Sequence, residues 1–270
     1  MTEADIATGM RLKRQAGWNQ TEGDWRRFLG LNPAGCFVGC VGGEAVATVT
    51  TAVFGRVGWI GMVLVDVSQR RQGFGRRMLE RAIAHLSLLV ETIKLDATEA
   101  GSRLYRHYGF KEELRLTRYE YHGEGGRREG GDTGGGPLTE ALLRLDRRVY
   151  GSDRSKLLRR LAEEGHARVT VAVCGRAAGY AFLRVGENAL QLGPAVAVSG
   201  DASERIVDWL RAQAEGVCFL DVPHSSDYHG RLRDDLGLTA QREFVRMYRG
   251  EEPFGGIPAK VVASSGPEKG

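Results

Sequence analysis

Val63-Leu-Val-Asp-Val-Ser-Gln-Arg-Arg-Gln-Gly-Phe-Gly-Arg-Arg-Met-Leu79 runs from an apolar strand through a basic glycine loop into an amphipathic helix. Residues Ile60 to Val65 are apolar, and Met78, Leu79, Ala82, Ile83 and Leu86 follow at helical spacing. Gly73 and Gly75 allow the backbone to approach a ligand without side-chain interference. The start of a helix leaves unpaired N–H donors and a partial positive charge, and Arg70, Arg71, Arg76 and Arg77 add full charges around the same spot. Such a stretch is suited to hold a pyrophosphate. It is not a P-loop, because the closing Gly-Lys-Ser/Thr is missing, and no G-x-G-x-x-G precedes the helix. An ordinary strand, turn and helix with a basic surface shares these features, so the rest of the chain has to decide.

Arg70-x-x-Gly73-x-Gly75 directly after a strand resembles the acyl-CoA pyrophosphate loop of the Gcn5-related N-acetyltransferases. A second block, Leu104-Tyr-Arg-His-Tyr-Gly-Phe110 before the apolar strand Leu114 to Tyr121, looks like the closing helix and strand of that family. Between the blocks, Glu91 to Ala97 reads as a short strand. Upstream, Cys36 to Val41 and Ala45 to Phe54 flank Gly42-Gly43, a dipeptide suited to a two-residue hairpin turn. The resemblance implies acetyl-CoA as co-substrate. It implies that backbone groups of Val63, Leu64 and Val65 pair with the pantetheine arm, that Arg70, Arg71, Gln72, Gly73, Phe74, Gly75 and Arg76 take the pyrophosphate, and that Tyr105 is the general acid. Two departures stand out. Trp59 to Val65 lacks the strand glutamate that many members use as base, and Thr98 stands where an asparagine is frequent.

Residues 123–136 read Gly-Glu-Gly-Gly-Arg-Arg-Glu-Gly-Gly-Asp-Thr-Gly-Gly-Gly, the composition of a linker. Beyond it the order of elements starts again. Helices are expected at Leu138 to Tyr150 and Asp153 to Glu164, then strands at Val169 to Cys174, Ala178 to Val185 and Leu190 to Val198. A helix from Ala202 to Ala214 follows, with Asp201 and Glu204 as a capping-box-like start. The repeat is visible in residues too: Arg103 to Phe110 matches Arg231 to Leu238, Arg118 matches Arg246, and Leu95-Asp96 matches Leu220-Asp221. The glycine loop is not repeated, since Val198 to Glu204 is acidic there, and Arg233 replaces Tyr105. The expected architecture is therefore α/β, two tandem domains, each a mixed, mostly antiparallel sheet flanked by helices. The N-terminal acyl-CoA-binding domain spans 1–122, the linker 123–136, a degenerate copy 137–250 and a tail 251–270. By the resemblance to tandem members of that family, the second domain would shape the acceptor pocket or a homodimer interface.

Acceptor contacts are expected from Trp18, Asn19 and Asp96, whereas Trp25, Phe28 and Leu29 form a packing stripe. The base is left open among Asp66, Asp96, Glu99, His224, Asp227 and His229. With 270 residues, 42% hydrophobic, the chain can bury two modest cores. No apolar run reaches the roughly 18 residues of a membrane span, and no secretory signal opens the sequence, so a cytoplasmic protein without a membrane partner is expected. Cys36, Cys40, Cys174 and Cys218 lie in apolar strand candidates as free thiols, and no zinc spacing occurs. The net charge of +4 is dispersed outside Arg70 to Arg77, which argues against a nucleic-acid partner. The function expected is acetyl transfer to the amine of a small-molecule acceptor. The alternative is a non-catalytic acyl-CoA sensor or interaction module, which the missing strand glutamate favours and Tyr105 opposes.

Overall fold

The computed structural model describes residues 1–125 and 136–270. Helices α1 (Ile6–Gln15) and α2 (Glu22–Leu31) precede strands β1 (Phe37–Val41), β2 (Glu44–Phe54) and β3 (Val57–Val65). Helix α3 (Phe74–Leu86), strand β4 (Thr92–Ala97), helix α4 (Glu99–His107) and strand β5 (Lys111–Glu124) complete the first half. The same order recurs as α5 (Glu140–Tyr150), α6 (Ser155–Glu163), β6 (Ala167–Val173), β7 (Arg176–Val185), β8 (Leu190–Ala197), α7 (Gly200–Gln213), β9 (Glu215–Pro223), α8 (His229–Leu236) and β10 (Thr239–Arg249). Strand β11 (Val261–Ala263) is an addition without a counterpart among the described residues of the first half.

The two halves share one sheet. Among the described residues its order is β1-β2-β3-β4-β10-β5-β9-β8-β7-β6, with β11 on β8. Only β3–β4 and β8–β9 are parallel; the other ladders are antiparallel. The last strands have changed places. β10 lies between β4 and β5, and β5 pairs on its far side with β9, so each half is closed by a strand of the other. The exchange is anchored by burial. Val245 and Met247 of β10 pack with Ile93, Leu95, Leu79 and Leu86 in the core beneath α3, while Tyr119 of β5 packs with Cys218, Leu220 and Leu232 in the other core. Fully burying such side chains contributes about 1.5–3 kcal/mol each, more than solvated edge contacts would supply.

Three expectations need correction. Gly123 and Glu124 are not linker; they prolong β5 opposite Gly216 and Glu215, because β9 offers them a free ladder edge. The rest of the linker, 126–135, lies outside the described residues. Helix α7 starts before Asp201: Ser199, in extended backbone, caps it by accepting from the Ala202 N–H at 3.3 Å, and Glu204 instead pairs with Arg231 at 2.7 Å. Cys40 and Cys174 are exposed, whereas Cys36 and Cys218 are buried, and all four are free thiols. The tail packs on the fold: β11 and the residues after it are largely buried.

Helices α2 and α6 meet through Arg27, which donates to Glu164 at 3.0 Å and to Asp24 at 2.5 Å. Burial opposes the Glu164 charge, but His166 and Arg27 outweigh it and draw the carboxyl down to about 2. The unfolded value is about 4.3. Stability from this group is therefore fully present above about pH 4.3 and is lost as pH falls toward 2. Glu164→Gln is expected to flatten that part of an acid-unfolding curve followed by circular dichroism. An unchanged slope between pH 4.3 and 2 would count against the Arg27–Glu164 contact.

Candidate active site

β3 and β4 are paired only over Val57 to Trp59 against Thr92 to Lys94. Beyond that they part, and a cavity of about 160 Å³ opens between Ile60–Val63 on one side and Leu95–Thr98 on the other. The parting coincides with a bulge: Thr48 faces Leu64 and Thr50 faces Gly61, so Met62 and Val63 together oppose one residue of β2. Met62 has φ +52°, unusual for a side chain that is not glycine, and Thr48 Oγ1 donates to its carbonyl at 3.0 Å. Strain of this kind persists only where surrounding structure enforces it, and it clusters at ligand sites. Past the bulge, Leu64 and Val65 keep β2 on one edge, and among the described residues no strand pairs with Val63 to Val65 on the other.

That open edge leads into the glycine loop. Asp66 terminates β3 by accepting from the Ser68 N–H at 3.0 Å and hydroxyl at 2.8 Å. Those two bonds, with Arg11 and Gln15, hold its carboxyl well below the carboxylate range. Arg70 donates to the Val65 carbonyl at 3.3 Å, Arg71 takes φ +63°, and Gly73 takes φ +83° at the N-cap of α3. The helical ladder begins with the Arg77 N–H donating to the Gly73 carbonyl at 3.0 Å. The N–H groups of the first turn therefore face outward with Arg70, Arg71, Arg76 and Arg77 exposed around them. A Cβ at position 73 would meet nothing within 4 Å, so the space above the loop is open.

Tyr105 projects from α4 into the cavity wall beside Thr98 and Gly101, its ring edge-on to Phe110 at 6.0 Å. Burial pushes its phenol above the ordinary value, which keeps the proton on the oxygen at neutral pH. Thr98, at the position where asparagine is frequent, caps α4 by accepting from the Gly101 N–H at 3.2 Å.

Asp96 also lines the cavity, yet both its oxygens are occupied by Arg246 of β10, at 2.8 and 2.9 Å. The repeat equivalent is Asp221 with Arg118 of β5, both bonds 2.8 Å. Strand exchange thus makes two pairs across the halves, related as the sequence repeat relates their members. Burial works against each guanidinium, but the facing carboxylates outweigh it and hold Arg118 and Arg246 charged. Of the acceptor candidates, Trp18 lines the cavity half-buried. Asn19 lines it with its side chain already engaged, donating to the Ala189 carbonyl and accepting from the Asn188 and Ala189 N–H groups at 2.9–3.0 Å. Glu99 pairs with Arg115 at 3.2 Å, and Asp227 with Lys260 at 2.6 Å. His224 and His229 contact Thr117 and Tyr119 away from the cavity lining. Gln20, next to Asn19, also lines the cavity, as do Arg242, Phe244, Pro267 and Glu268, for which the sequence carries no local signal. Among the described residues no group of three His, Cys, Asp or Glu is placed to hold a metal ion.

The second half has the same slot, closed. β8 and β9 pair over Leu190 to Leu192 and Cys218 to Leu220 and then separate behind a bulge at Gly193-Pro194. By their β7 and β2 registers, Ala195 and Val196 correspond to Leu64 and Val65. On those residues sits β11, with Ala263 opposite Ala195 and Val261 opposite Val196. Ser264 then donates its N–H to the Asp221 carbonyl at 2.8 Å, bridging to β9. The chain's own tail fills in the second half the gap that stays open in the first.

Two models of the acetyltransferase (GNAT) domain match the chain, one over residues 32–112 and one over 142–257. The uncharacterized N-acetyltransferase YitH of Bacillus subtilis (strain 168) is 30% identical over 87% of this chain and 83% of its own length. The chain belongs to the GNAT acetyltransferase family. A crystal structure from Pyrococcus horikoshii, classed with the acetyltransferases, superposes with a TM-score of 0.85 at 20% identity and covers 100% of this chain and 94% of its own. A tandem GNAT protein from the clavulanic acid biosynthesis pathway superposes with a TM-score of 0.58 at 13% identity, covering 93% and 95%. These two likenesses concern the fold. In GNAT terms, the open slot and glycine loop belong to the half matched by the first domain model, and the filled slot to the half matched by the second.

Proposed function

We propose that this protein transfers an acetyl group from acetyl-CoA to the amine of a small-molecule acceptor, in the cavity of the first half. The observation that carries the reading is the unpaired edge of β3, which runs from the Met62 bulge to the α3 N-terminus while its counterpart on β8 is covered by β11. Val63, Leu64 and Val65 offer backbone groups for the pantetheine amides, as an added strand would use them. The loop and first-turn N–H groups of Gln72 to Arg76, with Arg70 and Arg71, receive the pyrophosphate. The acceptor nitrogen attacks the thioester carbonyl carbon; the C–N bond forms, the C–S bond breaks, the amine's surplus proton passes to water, and the phenol of Tyr105 supplies the proton that the thiolate takes up. Tyr105 is reprotonated from solvent afterwards.

Calorimetric titration with acetyl-CoA, followed by free-thiol release across an amine panel, tests this reading. Binding with turnover is the expected result; binding without turnover would favour a sensor, and no binding would overturn the donor assignment. Tyr105→Phe is expected to keep donor affinity and slow turnover about 10- to 100-fold. That is the lower part of the range for a general acid, since a thiolate of pKa about 8.5 needs little assistance near neutrality. An unaltered rate at saturating donor would remove Tyr105 from the mechanism.

A further inference from the structure

After β11 the chain turns through 264–270 and delivers Pro267 and Glu268 to the wall of the first-half cavity. The turn is held from several sides. Arg184 donates to the Ser265 carbonyl at 2.6 Å, Trp59 to the Pro267 carbonyl at 3.3 Å, and Arg154 to the Gly270 carbonyl at 2.8 Å. β3 leaves room for it at one residue: a Cβ on Gly61 would stand 2.8 Å from the Glu268 carbonyl oxygen and 3.0 Å from its Cβ. Glu268 is thereby seated against the strand immediately before the Met62 bulge, in a strand that carries no carboxylate of its own.

The charges lining the cavity are unequally committed. Asp96 and Arg118 are consumed by bidentate pairs with Arg246 and Asp221, and Arg242 is exposed. Glu268 accepts from Gln20 Nε2 at 3.0 Å and from Lys269, which leaves about half of a carboxylate's four acceptor positions unused. Burial opposes its charge, but Lys269 and Arg184 hold it ionised. Beside it, Gln20 Oε1 is buried and has no partner among the described residues. Two acceptors with spare capacity, one of them anionic, therefore adjoin in a wall that also presents the apolar side chains of Trp18, Ile60, Met62, Leu95 and Phe244 beside the paired Asp96 and Arg118. A buried unpaired acceptor calls for a donor.

We propose that Glu268 and Gln20 form the binding site for the acceptor's nitrogen, so that the acceptor is a primary amine on an apolar body, received as a cation that gives one proton to water before the neutral amine attacks. The proposal rests on the acetyl-transfer reading of the same cavity. It gives the tail two tasks: β11 closes the second slot, and the turn after it equips the first.

The test is direct titration with benzylamine hydrochloride and benzyl alcohol at pH 7, probes of one shape that differ in charge. The wild-type protein is expected to bind the amine about 10-fold or more tightly than the alcohol. Glu268→Gln is expected to abolish that preference with acetyl-CoA affinity retained. Gln20→Met, which leaves the Glu268–Lys269 pair in place, is expected to reduce it about fivefold and serves if the first variant fails to fold. Equal affinity of the wild type for both probes, or a preference unchanged in a folded variant, overturns the proposal. Amine preference without acetyl-CoA binding would instead overturn the acetyl-transfer reading and leave the amine site standing.

Discussion

Gly73→Glu is expected to weaken acetyl-CoA binding by about 100-fold or more, the largest effect of any single change at the donor site. Two of the charge-assisted hydrogen bonds expected there are together worth about 3 kcal/mol or more, and a carboxylate beside the phosphates adds repulsion. The fold should survive the change, because a Cβ at position 73 meets no atom within 4 Å. What the side chain does cost is conformational, since φ at 73 is +83° and a residue with a Cβ pays about 1–2 kcal/mol there. Gly73→Ala separates the two contributions, carrying the backbone cost without the charge. Calorimetry on both variants checks the assignment: Gly73→Glu binding acetyl-CoA as the wild type does would place the pyrophosphate elsewhere.

Asp96→Ala is expected to destabilise the protein by about 3–5 kcal/mol, the usual result of stripping one partner from a buried ion pair. Arg246 would remain with its guanidinium over the Trp59 ring at 4.8 Å and one bond to Ser264 Oγ at 3.1 Å, too little to replace a bidentate carboxylate. The loss follows from strand exchange, since Arg246 belongs to β10 and Asp96 to β4. Urea unfolding measures it, and the double variant Asp96→Ala with Arg246→Met should recover much of the loss by removing the stranded charge. If the single change costs less than about 1 kcal/mol, the pair is not the tie between halves that the geometry indicates. Asp221→Ala makes the parallel measurement on Arg118.

The elements that a local pattern can specify were legible before any coordinates. The strand, glycine loop and helix of residues 60–86, the Gly42-Gly43 hairpin turn and the repeated order of elements all rest on periodicity or on turn chemistry within a few residues. Even the partners Asp96, Asp221, Arg118 and Arg246 stood out, as equivalent positions of the repeat. What could not be read was who pairs with whom. Two copies of one design offer each closing strand two almost equivalent berths, and the choice of β10 beside β4 and β5 beside β9 depends on packing at Val245, Met247 and Tyr119 across long sequence separations.

The tail shows the same limit. A three-residue strand has no periodicity to announce it, and Ser-Ser-Gly-Pro-Glu-Lys-Gly carries no apolar pattern. Its burial is imposed from outside, by the gap between β8 and β9, by Arg184 and Arg154, and by the missing side chain of Gly61. Sequence alone determined that the first half carries a basic glycine loop and the second does not, because that difference lies in seven consecutive residues. Tertiary structure decided that the second slot is plugged, that Asp96 is spent on Arg246, and that Glu268 reaches the cavity, because each of these is a contact between segments whose own sequences favour no particular partner.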